Sequence, residues 1–150
     1  MWKKYKPYIF EILIALAVGG LSALLSMNGM KTFSEVAQPA LSPPMWLFPI
    51  VWSILYILMG ISAGLAIKTG SRVPFSYRLS LAINFFWSII FFNMRAYLFA
   101  FIWLILLWVV IIIMISDYYK INKTAAYLQI PYLLWVTFAA YLTFAIWLLN

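Results

Sequence analysis

The chain has 150 residues, of which 67% are hydrophobic, 20% aromatic and 9% charged, with a mean hydropathy of +1.03; a soluble domain has about a quarter of its residues charged. It contains neither Cys nor His, which excludes disulfides, thiolate metal sites, Ser-His-Asp triads, zinc centres of the HExxH type and histidine-ligated haem, and its three carboxylates, Glu11, Glu35 and Asp117, are too far apart in sequence to suggest a metal cage. The net charge of +7 does not point to nucleic acid, because the ten cations are spread between apolar runs rather than gathered on a polar face.

A membrane-spanning helix needs about 20 mostly apolar residues, and five such runs follow one another. The first, about 8–27, comes after Lys3, Lys4 and Lys6. A basic start before an apolar stretch also marks a signal peptide, but Glu11 interrupts it and the run outlasts a short apolar core. Residues 28–44 are the longest polar segment, with Lys31, Glu35, Gln38 and three prolines, and are long enough to fold over one mouth of a bundle. The second run, about 45–67, opens at Pro43 and Pro44, which suit a helix start, while Pro49 is expected to bend it. A basic loop follows with Lys68, Arg72 and Arg78. The third run, about 79–94, and the fourth, about 97–116, are separated at Asn93 and Arg95, because a single helix across both would overshoot a bilayer core of about 30 Å. The fifth covers about 124–149. An all-α integral membrane protein is expected, one domain over 1–150 made of a single bundle of five transmembrane helices. Eight cations lie at the N-terminus and in the second and fourth loops, against Lys31 and Arg95 on the other side. Positively charged loops face inward, so the N-terminus is expected inside, and the C-terminus and first loop outside.

Small residues at helical spacing mark where helices can approach: Gly60 and Gly64 in the second run, and Ala15, Gly19 and Ala23 in the first. Such spacing permits close contact without naming the partner. Three deep polar or aromatic groups suggest a ligand site between helices. Trp52 lies more than a turn deeper than Trp46, which suits the interface. In the third run Asn84, Trp87, Ser88, Phe91 and Arg95 share one helical face, and a buried amide needs a partner, either another helix or a ligand. In the fifth, Trp135, Phe138 and Ala139 share a face, with a gap beside Ala139 that would suit a planar molecule.

Taken together, LSPPMWLFPIVW and LYILMG after Pro39, NFFWSIIFFNMR in the third run, and PYLLW with FAAYLTFAIW in the fifth resemble the translocator protein family, also called tryptophan-rich sensory proteins (TspO) or peripheral-type benzodiazepine receptors. The resemblance covers essentially the whole chain. It implies a five-helix bundle, commonly a homodimer, that binds porphyrins such as protoporphyrin IX, haem, and isoquinoline or benzodiazepine drugs in a cavity under the first loop. Carried onto this sequence, the ligand-binding residues are Gln38, Pro44, Trp46, Trp52, Asn84, Trp87, Phe91, Trp135, Phe138 and Ala139. Trp52 and Trp135 match the tryptophans linked to porphyrin chemistry in bacterial members and are the catalytic candidates. Gln38 stands where a lysine is usual, and Phe144 and Leu148 replace the Tyr and Arg of the vertebrate cholesterol motif, so cholesterol is not an expected partner.

The resulting expectation is a binding protein or sensor for porphyrin and other planar aromatic molecules in a bacterial plasma membrane. Lipid surrounds it, porphyrin is a ligand rather than an obligatory cofactor, and neither metal nor nucleic acid is involved. Light-dependent porphyrin degradation and small-molecule transport are the alternatives. Against transport, the chain shows no internal repeat.

Overall fold

The computed structural model describes residues 2–33 and 35–150, and for residue 32 the main chain alone. Five stretches are long and apolar enough to cross a membrane. Helix α1 covers Trp2–Phe33, α2 Leu47–Lys68, α3 Phe75–Ser88, α4 Tyr97–Ile121, α5 Lys123–Tyr127 and α6 Ile130–Leu149; α5 and α6 together make the fifth span. The helices carry leucine, isoleucine and phenylalanine all round, so apolar side chains such as Leu13, Leu24, Ile102, Leu134 and Leu148 stay exposed on the outside. In water that surface would be costly; in lipid it is the solvent-matched one.

Helix α1 is longer than its apolar run at both ends, since the flanking Lys3 to Lys6 and Asn28 to Lys31 continue the helix into the interface. It runs antiparallel to α2. Gly60 meets the main chain of Ile12, Gly64 meets Tyr8 and Gly19 meets the ring of Tyr56, so the small residues are spent on this contact inside one chain. Pro49 falls in the first turn of α2, where a backbone N–H has no helical partner, so no helical hydrogen bond is lost to it.

Helices α1 and α3 run parallel. Arg78 grips the buried carboxylate of Glu11 through two bonds of 2.7 and 2.8 Å, and Ser22 Oγ donates to the carbonyl of Phe85 at 3.0 Å. A π-helical turn, Ile89–Asn93, ends the third span, where Asn93 Nδ2 donates to the carbonyl of Leu25 at 2.7 Å. The wider turn carries Arg95 off the face shared by Asn84, Trp87, Ser88 and Phe91 and into the connection to α4, at φ +51°. Helix α4 packs antiparallel to both α3 and α6, for example through Trp103 Nε1 to the carbonyl of Ile83 and Trp108 Nε1 to Thr137 Oγ1.

The fifth span breaks at Leu128 and Gln129. Pro131 has no N–H to offer the carbonyl of Tyr127, and the Gln129 amide turns inward to Leu58 and Ser62 of α2. Helix α6 then leans on α4 and leaves a gap toward α1 and α2. Across the open end of that gap runs the segment between α1 and α2. Asn150 holds it by donating to the carbonyl of Ala37 at 2.9 Å and accepting from its N–H at 3.3 Å.

Candidate ligand cavity

The gap is a cavity of about 330 Å³ walled by α1, α2, α3, α6 and the connecting segment. Helix α1 supplies the small residues Gly19, Gly20, Ser22 and Ala23, which leave room along its middle, together with the larger Leu16, Met30 and Phe33. Helix α2 supplies Phe48, Trp52 and Tyr56, the last two at i and i+4 and therefore on one face, with rings stacked at 5.7 Å and 29°. From α3 and the π-helical turn come Asn84, Trp87, Ser88, Phe91 and Phe92, with Trp87 stacked on Phe91 at 5.0 Å and 19°. Helix α6 contributes Ala139, Leu142, Thr143 and Ile146, again one face at i, i+3, i+4 and i+7.

The polar content of the wall is small. Asn84 Nδ2 donates to the Tyr56 hydroxyl at 3.3 Å. Ser22, Ser53 and Thr143 already donate to main-chain carbonyls, so their donors are spent. The buried Trp87 Nε1 has no partner among the described residues. No Lys, Arg, Asp or Glu lines the cavity among those residues, and no cluster of His, Cys, Asp or Glu could hold a metal ion. The wall is therefore neutral and largely aromatic, with the Asn84 amide, the Tyr56 hydroxyl and the Trp87 indole N–H among its directional groups. It can stack on a flat apolar molecule and orient its polar edge. Among the described residues its one ionisable side chain is the Tyr56 phenol.

Of the ten residues singled out from the sequence, Trp52, Asn84, Trp87, Phe91 and Ala139 come together in this wall. The other five lie outside it. Gln38 is in the connecting segment, accepting from Ser42 Oγ at 2.9 Å, and Pro44 sets the start of α2 by accepting from the N–H of Leu47. Trp46 caps α2 at 66% exposure. Trp135 sits behind Phe48, rings 5.7 Å apart, and beside Phe138, facing a shallow outer groove between α2 and α6 with Val51, Ile54 and Leu55. Sequence reading missed the α1 wall and Tyr56. The spacing of Gly19 and Ala23 signalled close packing, but Gly20 faces open space, and spacing alone does not separate the two uses.

The sequence profile of the TspO/MBR family matches residues 11–148. The chain belongs to the TspO/MBR family. Its similarity to individual members extends over most of their length. The tryptophan-rich protein TspO of Archaeoglobus fulgidus is 37% identical over 147 residues, 95% of each chain. That of Chlorobaculum tepidum is 36% identical over 124 residues, 79% of this chain and 78% of the relative. The human translocator protein is 30% identical over 127 residues, 80% of this chain and 75% of the relative. Family membership and the five apolar spans together make this an integral, multi-pass membrane protein.

Proposed function

We propose that this TspO/MBR protein is a membrane binding protein and sensor for porphyrins of the protoporphyrin IX kind and for planar aromatic drug-like molecules. The observation that carries the reading is the neutral cavity in which Trp52, Tyr56, Trp87 and Phe91 present aromatic faces around Asn84. A volume of about 330 Å³ is near the lower end of the roughly 300–1,000 Å³ typical of ligand sites. It suits a drug-sized planar molecule, or part of a macrocycle whose acidic arms project past the mouth. Lys31, in the last turn of α1, and Arg95, before α4, are the two cations carried at the end of the bundle where the connecting segment lies. The relatives named tryptophan-rich sensory protein and translocator protein fit a ligand-sensing role.

The test is an absorbance titration of the purified protein with protoporphyrin IX in the dark. Gly20 borders the cavity, and a side chain there meets nothing within 4 Å. Gly20→Leu should therefore fill the site and weaken binding at least tenfold while the melting temperature holds or rises. Non-saturable binding, or equal affinity in the variant, overturns the reading.

Light-dependent degradation is the second reading, favoured by one feature: the oxidisable Trp52 indole stands in the wall, stacked on Tyr56. Porphyrin bleaching under controlled illumination at matched occupancy separates the two. A pure binder bleaches equally fast in wild type and Trp52→Phe; a photochemical enzyme is slowed in Trp52→Phe and hardly in Trp135→Phe, whose indole lies behind Phe48. The same proposal takes the protein as a homodimer in a bacterial plasma membrane.

A further inference from the structure

The two ends of the bundle differ sharply in charge. The end at which α1 begins and α2 finishes carries eight cations against Glu11 and Asp117, whereas the opposite end carries Lys31 and Arg95 against Glu35. Among the described residues Arg78 alone pairs with a carboxylate, and Asp117 accepts from Ser76 Oγ at 2.7 Å. Seven cations at the first end are thus without an acidic partner among those residues.

Two corners of this end combine lysines with exposed tyrosines. In the first, the contacts of Gly60 with Ile12 and of Gly64 with Tyr8 fix the antiparallel register of α1 and α2. One turn further on, Lys68 comes level with Lys4, so two like charges stand at the ends of two closely packed helices. The Lys4 ammonium lies over the Tyr5 ring, 5.6 Å from its centre, and Tyr5 is exposed. In the second corner, Lys123 of α5 lies 5.5 Å over the ring of Tyr119, which meets Tyr127 edge-on at 6.2 Å, and Lys120 is in the last turn of α4. Tyr119 and Tyr127 are likewise exposed. Exposed apolar side chains continue from both corners into the bilayer. Ile9 lies one turn from Tyr5, and Ile112 two turns from Tyr119, each on the tyrosine's own helical face.

Ammonium groups and phenols at headgroup level, beside an apolar strip, match the parts of a glycerophospholipid: the lysines meet phosphate and the strip meets acyl chain. An RNA or an acidic protein would satisfy the charge alone and leave the aromatic and apolar parts without a role. A zwitterionic headgroup brings its own cation and leaves the lysines uncompensated. We propose that the Lys4–Lys68 and Lys120–Lys123 corners bind anionic phospholipid headgroups in preference to zwitterionic ones. This site lies on the outside of the bundle and is independent of what the cavity takes.

The test uses the full chain reconstituted into phosphatidylcholine vesicles that contain spin-labelled phosphatidylglycerol or spin-labelled phosphatidylcholine. Electron paramagnetic resonance reads the fraction of label immobilised on the protein. Phosphatidylglycerol should be preferred about fivefold at low salt, the scale of one basic residue at an anionic surface. The preference should fall toward unity at about 1 M salt, where charges are screened within about 3 Å. Replacing Lys4, Lys68, Lys120 and Lys123 together by Gln should remove most of it, while replacing the four by Arg, or making Lys31→Gln/Arg95→Gln at the opposite end, should leave it intact. Equal immobilisation of the two lipids, a preference that survives the four Gln substitutions, or one lost equally in Lys31→Gln/Arg95→Gln overturns the proposal. So does displacement of the labelled phosphatidylglycerol by glycerol phosphate or by an RNA oligonucleotide, which carry the charge without an acyl chain.

Discussion

Gly19 and Gly20 are neighbours in α1 with opposite surroundings. A methyl group at Gly19 would fall inside the ring of Tyr56, whereas one at Gly20 meets nothing. Gly19→Ala should therefore displace Tyr56 and, through the stacked pair, Trp52. The expected loss is about 1–3 kcal/mol of stability, the usual cost of overpacking, read as a lower melting temperature in detergent, with ligand affinity falling in parallel. Asn84 calls for a different outcome. Asn84→Leu removes the bond to Tyr56 but places an apolar side chain in an apolar wall, so about 1 kcal/mol of stability should be lost. Its effect on protoporphyrin affinity should be larger, at least tenfold, because the wall offers few other groups to a polar ligand edge. Equal affinity together with a lower melting temperature would show that Asn84 serves the bundle alone.

At the scale of elements, α1 is tied to its neighbours by two kinds of contact. Against α2 it relies on backbone approach at Gly60 and Gly64, which van der Waals packing stabilises in lipid. Against α3 it relies on Arg78 and Glu11, whose exposures differ. Arg78→Met leaves a carboxylate buried without a partner, an expected cost of about 3–5 kcal/mol. Glu11→Gln leaves a guanidinium that can turn to the surface and an amide that still accepts, so about 1–2 kcal/mol is expected. Thermal melts of the two single variants should preserve that order, and the Arg78→Met/Glu11→Gln double variant should be more stable than Arg78→Met alone. Equal losses in the two single variants would mean that the environment of the pair is symmetric.

For the whole molecule, the distribution of Lys and Arg predicts that the connection between α2 and α3 faces the cytoplasm and the segment between α1 and α2 faces outward. The chain has no cysteine, so single ones can be introduced without background. In intact cells an impermeant thiol reagent should label Leu41→Cys, which is exposed in the outer segment, and spare Ser71→Cys until the membrane is opened. The reverse pattern would invert the topology.

Five spans were legible in the sequence, because bilayer thickness and backbone hydrogen bonding dictate them locally, but their ends were not: α1 covers Trp2–Phe33 where an apolar run over 8–27 was expected, since polar and basic flanks can continue a helix into the interface. Also legible was the stripe of Asn84, Trp87 and Phe91, since three- and four-residue spacings on a continuous helix share a face whatever lies opposite. Family membership was legible for a related reason: its motifs are runs of adjacent residues. Other features depended on neighbours distant in sequence. The π-helical turn at Ile89–Asn93 took Arg95 off the stripe, and the inward turn of Gln129 split the fifth span. Trp52 and Trp135 look equivalent in the sequence. In the folded chain Phe48 stands between Trp135 and the cavity, while Gly20 opens space in α1 where its neighbour Gly19 is filled by Tyr56. Sequence periodicity specifies which residues share a face. Which faces meet, and how closely, is decided by side-chain volumes across the gap between helices, and that sum exists only once the bundle has packed.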